Sequence, residues 1–173
     1  MSNLAWHFTD DTLRGGQPIP PAGTTLRYYG DLKLCESGLH ASRQPWDALR
    51  YAPGNLLHRV RCEGETIKGG DKLVCRKRTI IQSLDAEFLL RRFAKDQALS
   101  VLGQWDAPAV IVDYLQGDDE SLRTAARNAA WDAARAAAWD AARAAVRAAA
   151  WDAAGNEFNH RVYKAFGLEV TDE

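Results

Sequence analysis

Two hydrophobic periods divide this chain. From Leu56 to Ile81 apolar and polar positions alternate, with Leu56, His58, Val60 and Cys62 on one side and Leu57, Arg59 and Arg61 on the other. A period of two places successive side chains on opposite faces of a strand. Glu63-Gly64 and Gly69-Gly70-Asp71 predict tight turns within this stretch, so it reads as antiparallel strands. Shorter strands are predicted over Leu4 to Phe8 and Thr24 to Tyr29, with Leu32, Leu34 and Leu39 in a further extended piece. The prolines of Gly15 to Pro21 exclude helix there. A small helix is predicted from Pro45 to Tyr51, capped by Ser42 and stopped by Ala52-Pro53-Gly54-Asn55.

After Ser83 the period lengthens. Asp85 is positioned to cap a helix with Phe88, Leu89, Phe93, Ala98, Val101 and Leu102 on one broad side, ending near Gly103. A second helix follows Asp106, with Pro108 in its first turn, Val110, Ile111, Tyr114 and Leu115 facing inward, and Gly117 at its end. Asp118-Asp119-Glu120-Ser121 then places acid at the start of a third helix, where the macrodipole favours it.

That third helix is written in tetrads. AAWDAARA spans Ala129 to Ala136 and recurs from Ala137 to Ala144, and no Gly or Pro intervenes before Gly155. Alanine is the best helix former, so one helix of about 50 Å is predicted from Arg123 to Ala154. Four residues overshoot one turn by roughly 40°, so the large side chains form a slowly winding ladder that includes Trp131, Arg135, Trp139, Arg143, Arg147 and Trp151. Such a ladder is a candidate interaction surface, because Trp and Arg dominate binding hot spots. Its alanine flanks allow self-association, and its interleaved aspartates argue against nucleic acid. A spacer is the simpler alternative. Beyond Gly155, Phe158, Val162 and Phe166 recur at i+4 in a short helix that Gly167 ends.

The fold class this predicts is α+β, a small antiparallel β-rich N-terminal domain followed by helices, one of them long and alanine-rich. The segments are 1–84 (β-rich with a short helix), 85–117 (two packing helices), 118–155 (the tetrad helix) and 156–173 (a short helix and tail). Charge narrows function mainly by exclusion. With 22 basic and 23 acidic side chains the net charge is −1, which supplies no field for nucleic acid and no acidic surplus. Seven Lys/Arg against three Asp/Glu fall between Arg59 and Arg78, and the outward faces of strands are their expected place. Cys35, Cys62 and Cys75 match neither a disulfide framework nor a zinc site, and buried thiols are expected. The opening MSNLAWHFTDD lacks a basic-then-apolar leader and no apolar run is long enough to span a bilayer, so a cytoplasmic protein with no membrane partner is expected.

His7, His40, His58 and His160 lack metal-ligand spacing, so no metal and no cofactor are expected. The run Cys35-Glu36-Ser37-Gly38-Leu39-His40-Ala41-Ser42, followed by Asp47-Ala48-Leu49-Arg50-Tyr51-Ala52, distantly resembles the second motif of ADP-ribosyltransferase-like folds. There a Gly-Leu-His-x-Ser strand precedes a helix ending in Tyr-Ala. The resemblance implies a ligand site at Gly38, Leu39, His40, Ser42 and Tyr51. If the chain is an enzyme, it implies NAD chemistry with Tyr29, His40 and Glu65 as catalytic candidates. Tyr29 stands where that family places His or Arg before a Gly. Over nearly the whole chain the sequence more closely resembles uncharacterised phage and prophage proteins. The resemblance rests on Trp6-His7-Phe8, Pro18-Ile19-Pro20-Pro21, Leu34 to Ser42, Asp71-Lys72-Leu73-Val74 and the tetrad tail. It implies a phage accessory binding protein acting in the host cytoplasm, with counter-defence by sequestering a host protein or a nucleotide as its role. A scaffold built on the long helix is the remaining alternative.

Overall fold

The computed structural model describes residues 3–104, 106–117, 119–136 and 143–169. It is an α+β protein whose antiparallel sheet occupies the N-terminal part and is followed by helices. The strands are β1 (Leu4–Thr9), β2 (Thr25–Arg27), β3 (Leu39–Ala41), β4 (Leu56–Lys68) and β5 (Leu73–Asp85). The helices are α1 (Pro45–Leu49), α2 (Glu87–Ser100), α3 (Ala109–Gln116), α4 (Arg123–Ala136) and α5 (Arg143–Ala165). Two compact units result, one reaching to Leu89 and resuming at Gly155, the other running from Leu90 to Ala154.

The long hairpin of β4 and β5 organises the first unit. β1 pairs with β4, and the free edge of β5 is shared between β3 at Leu73–Cys75 and β2 at Lys77–Thr79. β3 then leads across to β1: the Trp6 N–H donates to the Ser42 carbonyl at 2.7 Å, and the Ser42 N–H returns to Trp6 at 2.9 Å. Those two bonds curl the sheet on itself, while β2 stays on β5. Inside the curl Ala5, Val60, Cys62, Leu73, Cys75 and Ile80 form an apolar cluster. Each large member buried there stabilises the fold by roughly 1.5–3 kcal/mol.

Several expectations change. Glu63-Gly64 is not a turn but lies within β4 at a bulge, where the register shifts between Glu63 and Thr66 and Gly64 takes φ +77°. Ser42 does not cap α1, because its backbone is committed to Trp6; Gln44 is the N-cap residue and Pro45 opens the helix. Cys62 and Cys75 are buried as expected, but Cys35 is exposed in a loop at φ +70°. Asp85 does meet the start of α2, accepting from the Glu87 N–H at 2.9 Å.

Gly155 does not end a helix. It lies within α5, and a Cβ there would stand 2.7 Å from Cδ1 of Trp46. The glycine is a notch for an indole. Below it Phe158, Val162 and Phe166 are buried, as the i+4 spacing predicted. Phe158 packs on Trp46, Phe166 and Tyr163 pack on Trp6, and the backbone N–H of Trp46 donates to Asn159 Oδ1 at 2.8 Å. The helix then closes at Gly167 (φ +67°), where the Leu168 N–H bonds back to the Tyr163 carbonyl.

In the second unit Ile111, Leu115 and Ala126 form a core between α3 and α4, with Leu99, Leu102, Val110 and Tyr114 against it. The buried Lys95 donates to the Gly117 carbonyl at 3.0 Å and pairs with Glu120 at 3.3 Å. Phe88 and Val101, expected to face inward on α2, are exposed. At ~100° per residue, Phe88 lies roughly 140° around the helix from the buried Phe93. Residues 137–142, which carry Trp139 and the middle of the predicted tetrad helix, lie outside the described residues. No described helix is long and apolar enough to cross a membrane.

The notch at Gly155 reverses an ordinary expectation. Gly→Ala inside a helix usually stabilises by ~1 kcal/mol. Here Gly155→Ala is expected to destabilise by ~1–3 kcal/mol through overpacking on Trp46. Phe158→Ala should cost ~3–5 kcal/mol, both read from urea unfolding midpoints.

Candidate functional site: a cavity around a buried arginine

The curl encloses a cavity of about 880 Å³, within the size range of small-molecule sites. β1, β2, β3, the end of α1 and the loop of residues 12–14 all contribute to its lining. Leu26, Leu39 and Ala41 give the wall apolar side chains, and β1 from Trp6 to Thr9 borders it. Asp10, Arg14, Arg27, Glu36 and Lys72 supply charge.

Arg78 of β5 also lines this cavity, and it is only 5% exposed. It sits directly across from Cys62 in the β4–β5 register, on the face that carries the apolar cluster. Its Nη1 donates to the His40 carbonyl, while its Nε is buried with no hydrogen-bond partner. Among the described residues no carboxylate forms an ion pair with it. Burial lowers its pKa, yet an arginine stays charged in a protein. A buried charge left unpaired is costly, and such groups in native structures are normally paired. This arginine was expected on the outward face of a strand.

Three histidines surround the guanidinium, and each is kept neutral. His58 is fully buried, with the Thr9 and Ser83 hydroxyls on its two ring nitrogens at 2.8 and 2.7 Å. Burial, with Arg78 adding to it, lowers its pKa to about 4. His7, opposite His58 in the register, is lowered well below the usual value by burial and then by Arg78. His40 accepts the Cys35 N–H on Nε2 at 2.9 Å, so its Nδ1 carries the proton shared with the Gly38 carbonyl at 3.2 Å. Burial and nearby cations lower His40 as well. His7 differs from the other two, since neither of its ring nitrogens makes a hydrogen bond among the described residues.

The structure gathers Gly38, Leu39, His40, Ser42 and Tyr51 at this one cavity. Gly38 contributes backbone: at φ +109° a Cβ would stand 2.4 Å from Val74 Cγ2. The half-exposed Tyr51 donates its hydroxyl to Asp71, which holds that carboxyl below its usual range, and Lys72 Nζ sits 4.0 Å above the Tyr51 ring. Tyr29 and Glu65 do not reach the cavity. Tyr29 is 86% exposed, and Glu65 pairs with Arg76 at 2.8 Å on the outer edge. Of the three catalytic candidates only His40 lines it. Along the ladder, Trp131 and Arg135 fall in α4, Arg143 and Arg147 in α5, and Trp151 is 53% exposed. No group of three or more His, Cys, Asp or Glu that could hold a metal occurs among the described residues.

The model for DUF7666, a domain of unknown function, matches residues 3–92. The chain belongs to that family. No curated protein and no solved structure matches it. Every residue lining the cavity, from Trp6 to Arg78, lies inside the DUF7666 segment, whereas the tetrad helices lie outside it. The cavity of this chain therefore lies within its DUF7666 segment.

The neutral histidine at the sheet's centre ties stability to pH. Folding holds His58 at about 4 against an unfolded value of 6.5, so the unfolded chain binds the proton more readily. The stabilisation is complete above pH 6.5 and is lost as pH falls towards 4, amounting to roughly 3 kcal/mol. Urea titrations from pH 7.5 to 4 should show that loss in the wild type, and His58→Gln should reduce it, leaving the part that His7 and His40 contribute.

Proposed function

We propose that the DUF7666 domain is a binding module that takes a small anionic ligand of the nucleotide class into the cavity, with Arg78 as its charge anchor. One observation carries this reading: a buried guanidinium without a carboxylate partner among the described residues lines a ligand-sized cavity. The missing counter-charge is then the ligand's own. Arginine suits the task, because its planar fork matches phosphate and carboxylate oxygens. The apolar wall offers room for a base or ribose, and the cations at Arg14, Arg27 and Lys72 favour anion entry.

Sequestration of a nucleotide or of a host protein by a phage-encoded accessory protein is the setting we propose, and it is supported by the sequence resemblance alone. An ADP-ribosyltransferase-like reaction on NAD receives less support, since Tyr29 and Glu65 stand away from His40 and the cavity.

Arg78→Met tests this reading, and it avoids the backbone strain that any side chain at Gly38 would bring. Removing an unpaired buried charge while keeping similar volume should leave the free protein as stable or raise its stability by ~1–3 kcal/mol. Calorimetry against NAD, ADP-ribose, nucleoside monophosphates and cyclic oligonucleotides should find a ligand for the wild type and none for the variant. Destabilisation by Arg78→Met, with no ligand found for the wild type, would make Arg78 a structural residue.

A further inference from the structure

We infer that the cavity lined by both His7 of β1 and Arg78 of β5 receives a phosphate monoester, and that its binding draws a proton onto the site. The inference rests on the anion-binding reading above and names the group that is bound. Arg78 supplies a fixed positive charge, with Nη1 committed to the His40 carbonyl. His7 lines the same cavity with both ring nitrogens unbonded among the described residues. The neighbouring histidines are unavailable to a ligand. His58 is held on both sides by Thr9 and Ser83, and both nitrogens of His40 are committed to the loop carrying Cys35.

The charges facing His7 are one-sided in the free protein. Arg78 on β5, His58 on β4 and His40 on β3 all oppose its protonation, as does burial. Arg14 and Lys72 add positive charge at the cavity wall, with Asp10 and Glu36 the acids lining it. A bound dianion reverses this balance. It neutralises Arg78 and leaves a net negative charge beside an imidazole that can take a proton and donate it back. A monoester is the phosphate whose second ionisation lies near pH 6, so it reaches the site doubly charged at neutral pH. A diester carries one negative charge per phosphate, which Arg78 alone balances. His7 then gains nothing by protonating.

The test is calorimetry of the full chain at pH 7.5 with adenosine 5′-monophosphate, repeated in two buffers of different ionisation enthalpy, and with adenosine 3′,5′-cyclic phosphate, a singly charged diester, as the control. The wild type should take up about one proton per monophosphate bound and none with the cyclic diester. His7→Gln should weaken monophosphate binding several-fold and abolish the uptake, leaving any affinity for the cyclic diester unchanged. Should the variant fold poorly, the His7 ring ¹⁵N resonances of the wild type should move to imidazolium positions as the monophosphate is added. Binding of the cyclic diester but not of the monophosphate, or monophosphate binding without proton uptake, overturns this inference and leaves the anion site standing. Absence of any binding overturns both.

Discussion

A guanidinium inside the sheet, without a carboxylate partner among the described residues, is the constraint on which the rest of this structure turns. The polar end of the curl is arranged around Arg78: the His40 carbonyl accepts from it, and His7, His40 and His58 are all held neutral beside it. Thr9 and Ser83 tie down the most buried of these imidazoles. The apolar end, from Ala5 through Ile80, supplies the burial that offsets the cost of keeping a charge there. Local destabilisation of this kind is characteristic of sites that complete themselves with a ligand.

The architecture that creates the cavity is economical. β5 shares one edge between two short strands, and only β3 is led across to β1 through the Trp6–Ser42 bridge. The last turns of α5 buttress the outer side of β1, through Phe166 and Tyr163 on Trp6 and Phe158 on Trp46. Residues nearly the whole chain apart thus hold the strand that presents His7. The C-terminal segment belongs to the same compact unit as the sheet even though the family match ends at residue 92.

Much of this was legible in the chain itself. Alternation from Leu56 onward marked the hairpin, and the i+4 trio Phe158, Val162 and Phe166 marked a buried helical face; Gly38, Leu39, His40, Ser42 and Tyr51, singled out through a resemblance, line one cavity whose role as a ligand site is a proposal. What escaped was tertiary. Gly64 looks like a turn in sequence, and only the pairing of β4 with β5 makes it a bulge. Gly155 looks like a stop, because nothing local announces the indole of Trp46 above it. Arg78 sits in a run of basic residues whose composition suggests a solvated face, and no local pattern shows that a paired strand turns this one inward. His7 was visible only as an unpaired histidine on a short strand, and its meaning comes from a register partner 51 residues away, His58.

The most direct test of the account is a crystal structure of the full chain soaked with adenosine 5′-monophosphate. The account predicts phosphate oxygens at ~2.7–2.9 Å from the Arg78 guanidinium, with the sugar and base along the apolar wall. A carboxylate of the chain itself paired with Arg78, and a cavity empty of ligand, would contradict it.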